Sequence, residues 1–163
     1  MVVGGAAEVP GALLLAGTAA LRVGAGKLKV AGPRSAMSAL GVAMPEARVI
    51  GLPETGDGFL DRRAGSRAGE LANAEAILIG PGMLNEEAIR GFMDEIIRRV
   101  ADRLVVIDAL ALTALRGGRY RFSEDTNVVL TPNFGEMAKI TGETEDAIAR
   151  DPQGVALDRK SVV

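Results

Sequence analysis

Cysteine and histidine are both absent from the 163-residue sequence, and each absence excludes a class of chemistry. Without cysteine the chain has no disulfide scaffold, no thiolate zinc site and no cysteine nucleophile. Without histidine it has no Ser-His catalytic triad. Acid–base chemistry must therefore come from carboxylates, lysine, tyrosine or an external cofactor. The lack of cysteine is compatible with a cytoplasmic location.

Aromatic residues are also scarce, at 3% of the chain, and tryptophan is absent. The core is therefore expected to consist of Ala, Val, Leu and Ile side chains. Few aromatics argue against recognition of single-stranded nucleic acid, which stacks bases on aromatic rings. A net charge of −2 gives no general attraction to phosphate backbones or anionic membranes. We expect neither nucleic acid nor a membrane as a partner.

Long apolar runs are missing as well. The longest apolar region, 11–21, is too short to span a bilayer and contains Gly17 and Thr18. No basic segment precedes it, so no signal peptide is expected. The remaining composition, 48% hydrophobic and 25% charged, is that of an ordinary globular protein. The length suffices for one domain, 1–163, with a core of its own.

What the sequence does contain is an alternation of short apolar runs and helix-like segments. The apolar runs predict strands at 1–3, 27–31, 47–52, 76–79, 104–107 and 128–130. Helices are predicted at 11–23 and 35–43, between Asn85 and Val100, after Asp108, at 135–141 and in two polar stretches beyond Gly142. Continuous apolar strands separated by helices are typical of a mostly parallel sheet covered on both faces. The predicted fold class is therefore α/β, with a sheet between two helical layers.

Three segments lead to more specific expectations. The helix at 11–23 is apolar nearly all round, which predicts that it is buried. The region 53–69 is rich in glycine and charge, and we interpret it as an exposed loop or a frayed helix. The last residues, 161–163, have the composition of a strand that is just beginning, so we expect the chain to be a fragment with an incomplete sheet. An incomplete sheet exposes an unpaired strand edge and favours association.

Small or polar residues follow four of the predicted strands. They are Gly4-Gly5 with Pro10-Gly11-Ala12, Gly80-Pro81-Gly82, Asp108-Ala109, and Thr131-Pro132-Asn133. In open parallel sheets ligands bind outside the carboxyl ends of the strands, so these residues predict one shared binding rim. Glycines at such a rim allow a ligand to approach the backbone closely.

Each of these features also has a purely structural interpretation. Gly80-Pro81-Gly82 is compatible with a tight turn alone. Asn133 and Glu136 have the spacing of a capping box, and Asp108 could act as the N-cap of the next helix. The segment 24–27 lacks the pattern of a phosphate-binding loop, and its favoured role is to end one helix and start a strand.

Five segments in order give the chain a resemblance to a known family. They are Gly4-Gly5 with Pro10-Gly11-Ala12, 19–26 (AALRVGAG), Pro45-Glu46, 79–82 (IGPG) and 130–137 (LTPNFGEM). The chain resembles the ADP/ATP-dependent NAD(P)H-hydrate dehydratases, which are carbohydrate-kinase-like members of the ribokinase-like superfamily. The resemblance extends from the start to about Gly142 and is more diffuse beyond it.

The resemblance implies repair of nicotinamide nucleotides. NADH or NADPH that is hydrated on the ring is dehydrated with ADP or ATP and Mg²⁺, by phosphorylation of the ring hydroxyl and loss of phosphate. It implies substrate contacts at Ala12, Gly80, Gly82 and Asn133, with supporting roles for Gly5, Gly11, Asp108 and Glu136. Family members commonly form homo-oligomers. The amide of Asn133 can donate and accept hydrogen bonds but cannot shuttle a proton near neutral pH.

The sequence also departs from the family pattern at three places. Leu84 replaces a glycine, and Leu110 replaces the second carboxylate of an Asp-Ala-Asp-Ala-Leu segment. The family's later Lys-Gly segment and its Gly-Ser-Gly-Asp motif, which supplies the catalytic base and backbone amides, are absent. We therefore expect this chain to provide the substrate-side half of the site, with no catalytic residue and no metal ligand. Two alternatives stay open: another ribokinase-like kinase for a thiazole or sugar, or a non-catalytic relative.

Overall fold

The computed structural model describes residues 1–100, 103–118, 120, 122 and 127–160. Strands lie at β1 (Val2–Val3), β2 (Lys29–Pro33), β3 (Arg48–Leu52), β4 (Ala76–Ile79), β5 (Leu104–Ile107) and β6 (Val128–Leu130). Helices lie at α1 (Gly11–Arg22), α2 (Arg34–Ala43), α3 (Arg62–Leu71), α4 (Glu86–Ile96), α5 (Phe134–Thr141), α6 (Glu145–Arg150) and α7 (Pro152–Lys160). Short 3₁₀ helices lie at Ile97–Arg99 and Ala109–Leu115. All six predicted strands are thus present, with small shifts of their ends.

The strands form one sheet in the order β3-β2-β1-β4-β5-β6, and every neighbouring pair is parallel. The predicted parallel sheet is therefore confirmed. Its strands read as continuous apolar runs because successive side chains point to opposite faces and helices cover both. Neighbouring valines of β1 illustrate this, since Val2 belongs to one buried cluster and Val3 to the other.

The two faces have different helical layers. On one face α1 packs on β1 and β2, and α2 packs on β2 and β3. The opposite face is covered by α3, α4 and the 3₁₀ helix Ala109–Leu115, with Phe92 and Ile96 of α4 fully buried there. The predicted sheet between two helical layers is confirmed.

The prediction that the first helix is buried all round is wrong. Leu13 and Gly17 of α1 are buried against the sheet, but Leu15 is 74% exposed. The helix lies on the surface of the sheet with one face turned outward. Its uniform apolar composition does not reveal which face packs, because the outward face carries few polar side chains that would mark it.

Of the two alternatives for 53–69, an exposed loop or a frayed helix, the helix is present in the second half of the region. Residues from Arg62 form α3, whose first turn is capped by the side chain of Asp61. Its small residues allow close contact with α4, because a Cβ on Gly65 would overlap the carbonyl oxygen of Phe92. The buried residues of α3, which are Ala64, Gly65 and Ala68, recur at helical spacing between charged residues, so the sequence itself favours the helix alternative.

The structure places α4 as the sequence predicts. The side chain of Asn85 accepts hydrogen bonds from the N–H groups of Glu87 and Ala88. Gly142 ends α5 in the left-handed conformation, and Gly24 has a φ of 102° just after α1, so both glycines terminate helices as predicted.

Candidate functional site

The four strand ends singled out in the sequence lie side by side, because β1, β4, β5 and β6 are consecutive in the sheet. The backbone bonds continue past each strand. The N–H of Gly80 donates to Val3 O (3.0 Å), that of Asp108 to Ile79 O (2.9 Å) and that of Thr131 to Ile107 O (3.2 Å). The four strand ends therefore lie on one edge of the sheet, as predicted, and their role in binding stays a prediction. We call residues 4–12, 80–82, 108 and 131–133 the rim.

The glycine-rich part of the rim lies where the strand order reverses. From β1 the chain adds β2 and β3 on one side, and it then crosses to add β4 on the other side. Such a switch point leaves a crevice above the two diverging connections, which is the usual ligand position in open α/β sheets. The Gly5 N–H donates to Pro81 O at 2.8 Å across this point.

Ala12 and Gly82 face each other at the switch point. A Cβ on Gly82 would lie 2.6 Å from the Ala12 Cβ and 3.4 Å from the Gly5 Cα, and Gly82 has a φ of 71°. The small residues at these three positions therefore let the start of α1 approach the turn after β4. Gly11, at the first position of α1, is exposed, and a Cβ on it would meet nothing within 4 Å.

Gly80 is fixed by its neighbours in the sheet. Its φ is 126°, and a Cβ there would overlap the carbonyl oxygen of Asp108 and lie 3.1 Å from the Ala111 Cβ. The Met83 N–H closes the turn on Gly80 O at 3.0 Å. The tight-turn interpretation of 80–82 is therefore correct; Gly80 and Pro81 are buried and Gly82 is half-buried.

Asp108 has a different partner from the one its sequence position suggests. It precedes the 3₁₀ helix Ala109–Leu115, but its side chain makes no capping hydrogen bond. The Thr131 hydroxyl donates to Asp108 Oδ1 at 2.7 Å, which ties the ends of β5 and β6 together. Ala109 has a φ of 53°, a strained value for a residue with a Cβ, so the backbone is held firmly at this strand end. Asp108 therefore occupies the N-cap position as predicted, but its side chain does not cap the helix.

Asn133 forms the predicted capping box with Glu136. Asn133 Oδ1 accepts from the Glu136 N–H at 2.9 Å, and Glu136 Oε2 accepts from the Asn133 N–H at 2.9 Å. The oxygen of the amide is therefore used by the helix. Asn133 is exposed, and the part of the chain that the structure describes offers its Nδ2 no hydrogen-bond acceptor, so Nδ2 can donate to a ligand.

The N-terminus of α1 gives this side of the crevice a favourable potential for anions. Its first turn contains no acidic residue, and no side chain caps it. The backbone N–H groups and the helix dipole there favour a negatively charged group such as a phosphate. The N-terminus of α5 is different, because Glu136 and Asn133 already occupy it.

The carboxylates with shifted pKa values lie away from the rim. Arg99 donates a hydrogen bond to Glu95, and although burial raises the pKa of Glu95, the charges of Arg62 and Arg98 add to a net lowering. Burial also raises the pKa of Asp61, but hydrogen bonds from Arg63 and from the Ala64 N–H bring it below its usual value. Hydrogen bonds and nearby arginines at α3 and α4 therefore account for both lowered pKa values.

The rim does not present a metal site of its own. Within the described residues, no three acidic, cysteine or histidine side chains are gathered so that they could hold a metal ion. Leu110, in place of a second carboxylate, packs against the core layer that contains α4. Asp108 is therefore not joined by a second carboxylate from this segment.

Sequence reasoning missed the role of Thr131. Its hydroxyl holds Asp108 across two strands, yet a threonine after a strand has no distinctive local signal. Only the neighbouring position of β5 and β6 brings the pair together.

None of the described helices has both the length and the apolar character that crossing a membrane requires.

The chain is similar in sequence to enzymes of one known family. The sequence model of the family described as NAD(P)H-hydrate dehydratase matches residues 1–159. The chain is 39% identical over 160 residues to an ADP-dependent (S)-NAD(P)H-hydrate dehydratase from Xanthomonas campestris pv. campestris, covering 96% of this chain and 53% of the relative. It is 38% identical to the bifunctional NAD(P)H-hydrate repair enzyme Nnr of Moorella thermoacetica, covering 96% of this chain and 30% of that enzyme.

Two solved structures have a fold similar to that of this chain. A Bacillus subtilis ADP/ATP-dependent NAD(P)H-hydrate dehydratase, co-crystallised with ATP/Mg²⁺ and soaked with CoA, superposes with a TM-score of 0.76 at 28% identity. The match covers 99% of this chain and 55% of that one. A ribokinase-like superfamily protein from Enterococcus faecalis superposes with a TM-score of 0.79 at 20% identity. The match covers 99% of this chain and 53% of that one, and at this identity it supports the fold alone. The chain spans about half the length of the single-function dehydratase and of these solved structures. With residues 1–159 matching its model, the chain belongs to the NAD(P)H-hydrate dehydratase family.

Proposed function

We propose that the chain forms the substrate-side half of an enzyme that dehydrates hydrated NADH or NADPH with ADP or ATP and Mg²⁺. The observation that supports this most is the family match along 1–159, which includes every residue of the rim. The names of the relatives favour this reaction over a thiazole or sugar kinase. The Lys-Gly segment and the Gly-Ser-Gly-Asp motif that the family uses for catalysis have no counterpart in this chain.

Within this proposal the rim binds and orients the hydrated dinucleotide. Ala12, Gly80 and Gly82 pack closely at the switch point, and we assign the substrate to this part of the rim. Asn133 donates its free Nδ2 hydrogens to the substrate. A phosphate of the dinucleotide lies near the N-terminus of α1.

The supporting residues keep these contacts in place. Gly5 allows α1 to approach the turn after β4, and exposed Gly11 leaves the first turn of α1 open. Asp108, held by Thr131, and Glu136, held by Asn133, fix the other half of the rim. Mg²⁺ commonly binds together with nucleotide phosphates, and we assign it no ligand among the described residues.

Binding of the hydrated substrate tests the proposal directly. We expect isothermal titration calorimetry to detect binding of hydrated NADH to the purified chain and weaker binding of NADH itself. Recovery of NADH absorbance with ATP and Mg²⁺ measures turnover, which we expect to be slight for this chain. A thiazole alcohol and a sugar are titrated in parallel. Binding of one of these without binding of hydrated NADH would contradict the proposal.

We also propose a cytoplasmic location and a homo-oligomeric state. Both are suggested by the family resemblance, and the lack of cysteine is compatible with the cytoplasmic location. Sedimentation velocity at several protein concentrations measures the oligomeric state. A monomer at all concentrations would contradict that part of the proposal, and cell fractionation tests the location.

A further inference from the structure

Asp108 and Asn133 lie beside each other at the ends of two paired strands. The Thr131 hydroxyl donates to Asp108 Oδ1 at 2.7 Å, so the first residue after β6 touches the first residue after β5. Asn133 lies two residues beyond Thr131, and its backbone is extended, with φ −73° and ψ 175°. Thr131 precedes a proline, which also favours an extended backbone. Side chains two residues apart in an extended segment project to the same side, which places Asn133 on the side of Asp108.

Each of these two side chains has one atom that is held and one that is open. Asn133 Oδ1 accepts from the Glu136 N–H at 2.9 Å, and this capping bond fixes the orientation of the amide. Asp108 Oδ1 is held by Thr131. Among the residues with described positions, none bonds to Asp108 Oδ2 or to Asn133 Nδ2. The ends of β5 and β6 therefore offer a ligand one fixed acceptor beside one fixed donor.

A primary carboxamide is the ligand group that matches this pair. It is planar and has an NH₂ donor next to a carbonyl acceptor. A phosphate or a carboxylate has acceptors only, and the carboxylate of Asp108 would repel its charge. A hydroxyl rotates to suit a donor or an acceptor, so it does not need both side by side.

We propose that Asp108 and Asn133 together bind the carboxamide of the hydrated nicotinamide ring, and that Asp108 selects this amide against the corresponding carboxylic acid. The inference rests on the proposed function and deepens it. The NH₂ group of the carboxamide donates to Asp108 Oδ2, and the carbonyl oxygen accepts from Asn133 Nδ2. Asp108 thereby has a direct contact with the substrate in addition to its role in joining the strand ends.

Thr131 is a positioning residue in this arrangement. Its hydroxyl bonds to one oxygen of Asp108 and leaves the other oxygen directed to the ligand. Asp108 is half-buried, so water replaces a missing ligand contact only in part. A site that hydrogen-bonds one group of a substrate discriminates strongly against an analogue that cannot form the same bond.

Calorimetric titration with two ligands that differ only at this group tests the assignment. The first ligand is hydrated NADH, and the second is hydrated, reduced nicotinic acid adenine dinucleotide, which has a carboxylic acid in place of the carboxamide. We expect the unmodified chain to bind hydrated NADH at least about tenfold more tightly. Asp108→Asn should lower this ratio to less than about threefold, because the new amide can donate to the acid and still accept from Thr131.

Asp158→Asn is the matched control. Asp158 is an exposed aspartate on α7, outside the rim, and its substitution removes the same charge from the chain. The control should keep the ratio of the unmodified chain. Circular dichroism checks that both variants keep their fold.

The outcomes separate this inference from the proposed function. If hydrated NADH binds but the acid binds equally well, or if Asp108→Asn keeps the full ratio, the inference is overturned and the proposed function stands. An equal fall of the ratio in Asp158→Asn would show a general effect of charge and would overturn it too. If hydrated NADH does not bind the unmodified chain, the proposed function fails and this inference fails with it.

Discussion

At the scale of single residues, most positions of the rim have a structural reason as well as a proposed role in binding. Asn133 is the clearest case, because its oxygen caps α5 while its Nδ2 has no hydrogen-bond partner among the described residues. The two roles use different atoms of one amide. Substitutions that keep one role and remove the other can therefore separate them.

Asn133→Ser is expected to keep the cap and lose the binding contact. Serine caps helices about as well as asparagine, whereas Asn133→Ala should cost about 1 kcal/mol of stability. Both variants lack the amide and should bind hydrated NADH more weakly. Thermal unfolding and calorimetric titration of the two variants measure these effects. If Asn133→Ser bound the substrate as tightly as the unmodified chain, Asn133 would be a cap only.

Gly80→Ala should destabilise the fold strongly. The new Cβ would overlap the Asp108 carbonyl oxygen at a φ of 126°, and we expect a loss of roughly 2–4 kcal/mol in the free energy of unfolding. Gly11→Ala is the control, because a Cβ there meets nothing within 4 Å. Its effect should stay within about 1 kcal/mol. Urea unfolding compares the two, and equal losses would contradict the assigned geometry.

At the scale of elements, one buried carboxylate joins α3 to α4. Glu95 is 7% exposed and lies 2.6 Å from Arg62 of α3, 2.9 Å from Arg98 and 2.7 Å from Arg99. Breaking such a cluster leaves arginines without their partner. Through Arg62 the cluster links the start of α3 to the end of α4.

Glu95→Gln should lower the melting temperature at neutral pH. The arginines hold the pKa of Glu95 below its usual value in the folded chain. The ionised form therefore stabilises the fold above the unfolded pKa of about 4.3, and this contribution disappears as the pH falls through the lower folded pKa. The difference between variant and unmodified chain should shrink below about pH 4.

Glu70→Gln is the matched control for that measurement. Glu70 pairs with Arg67 at 2.9 Å, and both side chains are 55% exposed. An exposed pair contributes little to stability, so its melting curves should differ little from those of the unmodified chain at any pH. A pH-independent effect of Glu95→Gln would mean that its charge does not matter.

At the scale of the whole molecule, one sheet separates two apolar layers that share its strands. Leu13 is fully buried in the layer of α1 and α2, and Phe92 is fully buried in the layer of α3 and α4. Because both layers pack on the same strands, we propose that the chain unfolds as one domain. Loss of either layer should remove the support of the other.

Leu13→Ala and Phe92→Ala test this coupling. The expected losses are about 2–5 and 3–5 kcal/mol, respectively, from buried volume that cannot be refilled. For each variant, circular dichroism and hydrogen exchange of the opposite layer should report the same midpoint in urea. Two separate transitions would show that the layers are independent domains.

The sequence by itself determined the fold class and most of the strands. Continuous apolar runs between helices leave few alternatives to a parallel sheet, and cap residues such as Asn85 and Gly142 mark the helix ends locally. It also determined the family, because the motifs at 79–82 and 130–137 depend on residue types in a fixed order. These signals lie within short stretches of sequence, so they can be recognised without the tertiary structure.

The tertiary structure decided whatever depends on neighbours that are distant in the chain. Only the strand order shows that Thr131 holds Asp108, and only helix packing shows that Gly65 needs room for Phe92. The exposure of Leu15 on α1 and of Val129 on β6 likewise depends on which elements pack against them. An apolar side chain has the same letter in the sequence whether a helix covers it or not, because burial is a property of the assembled layers.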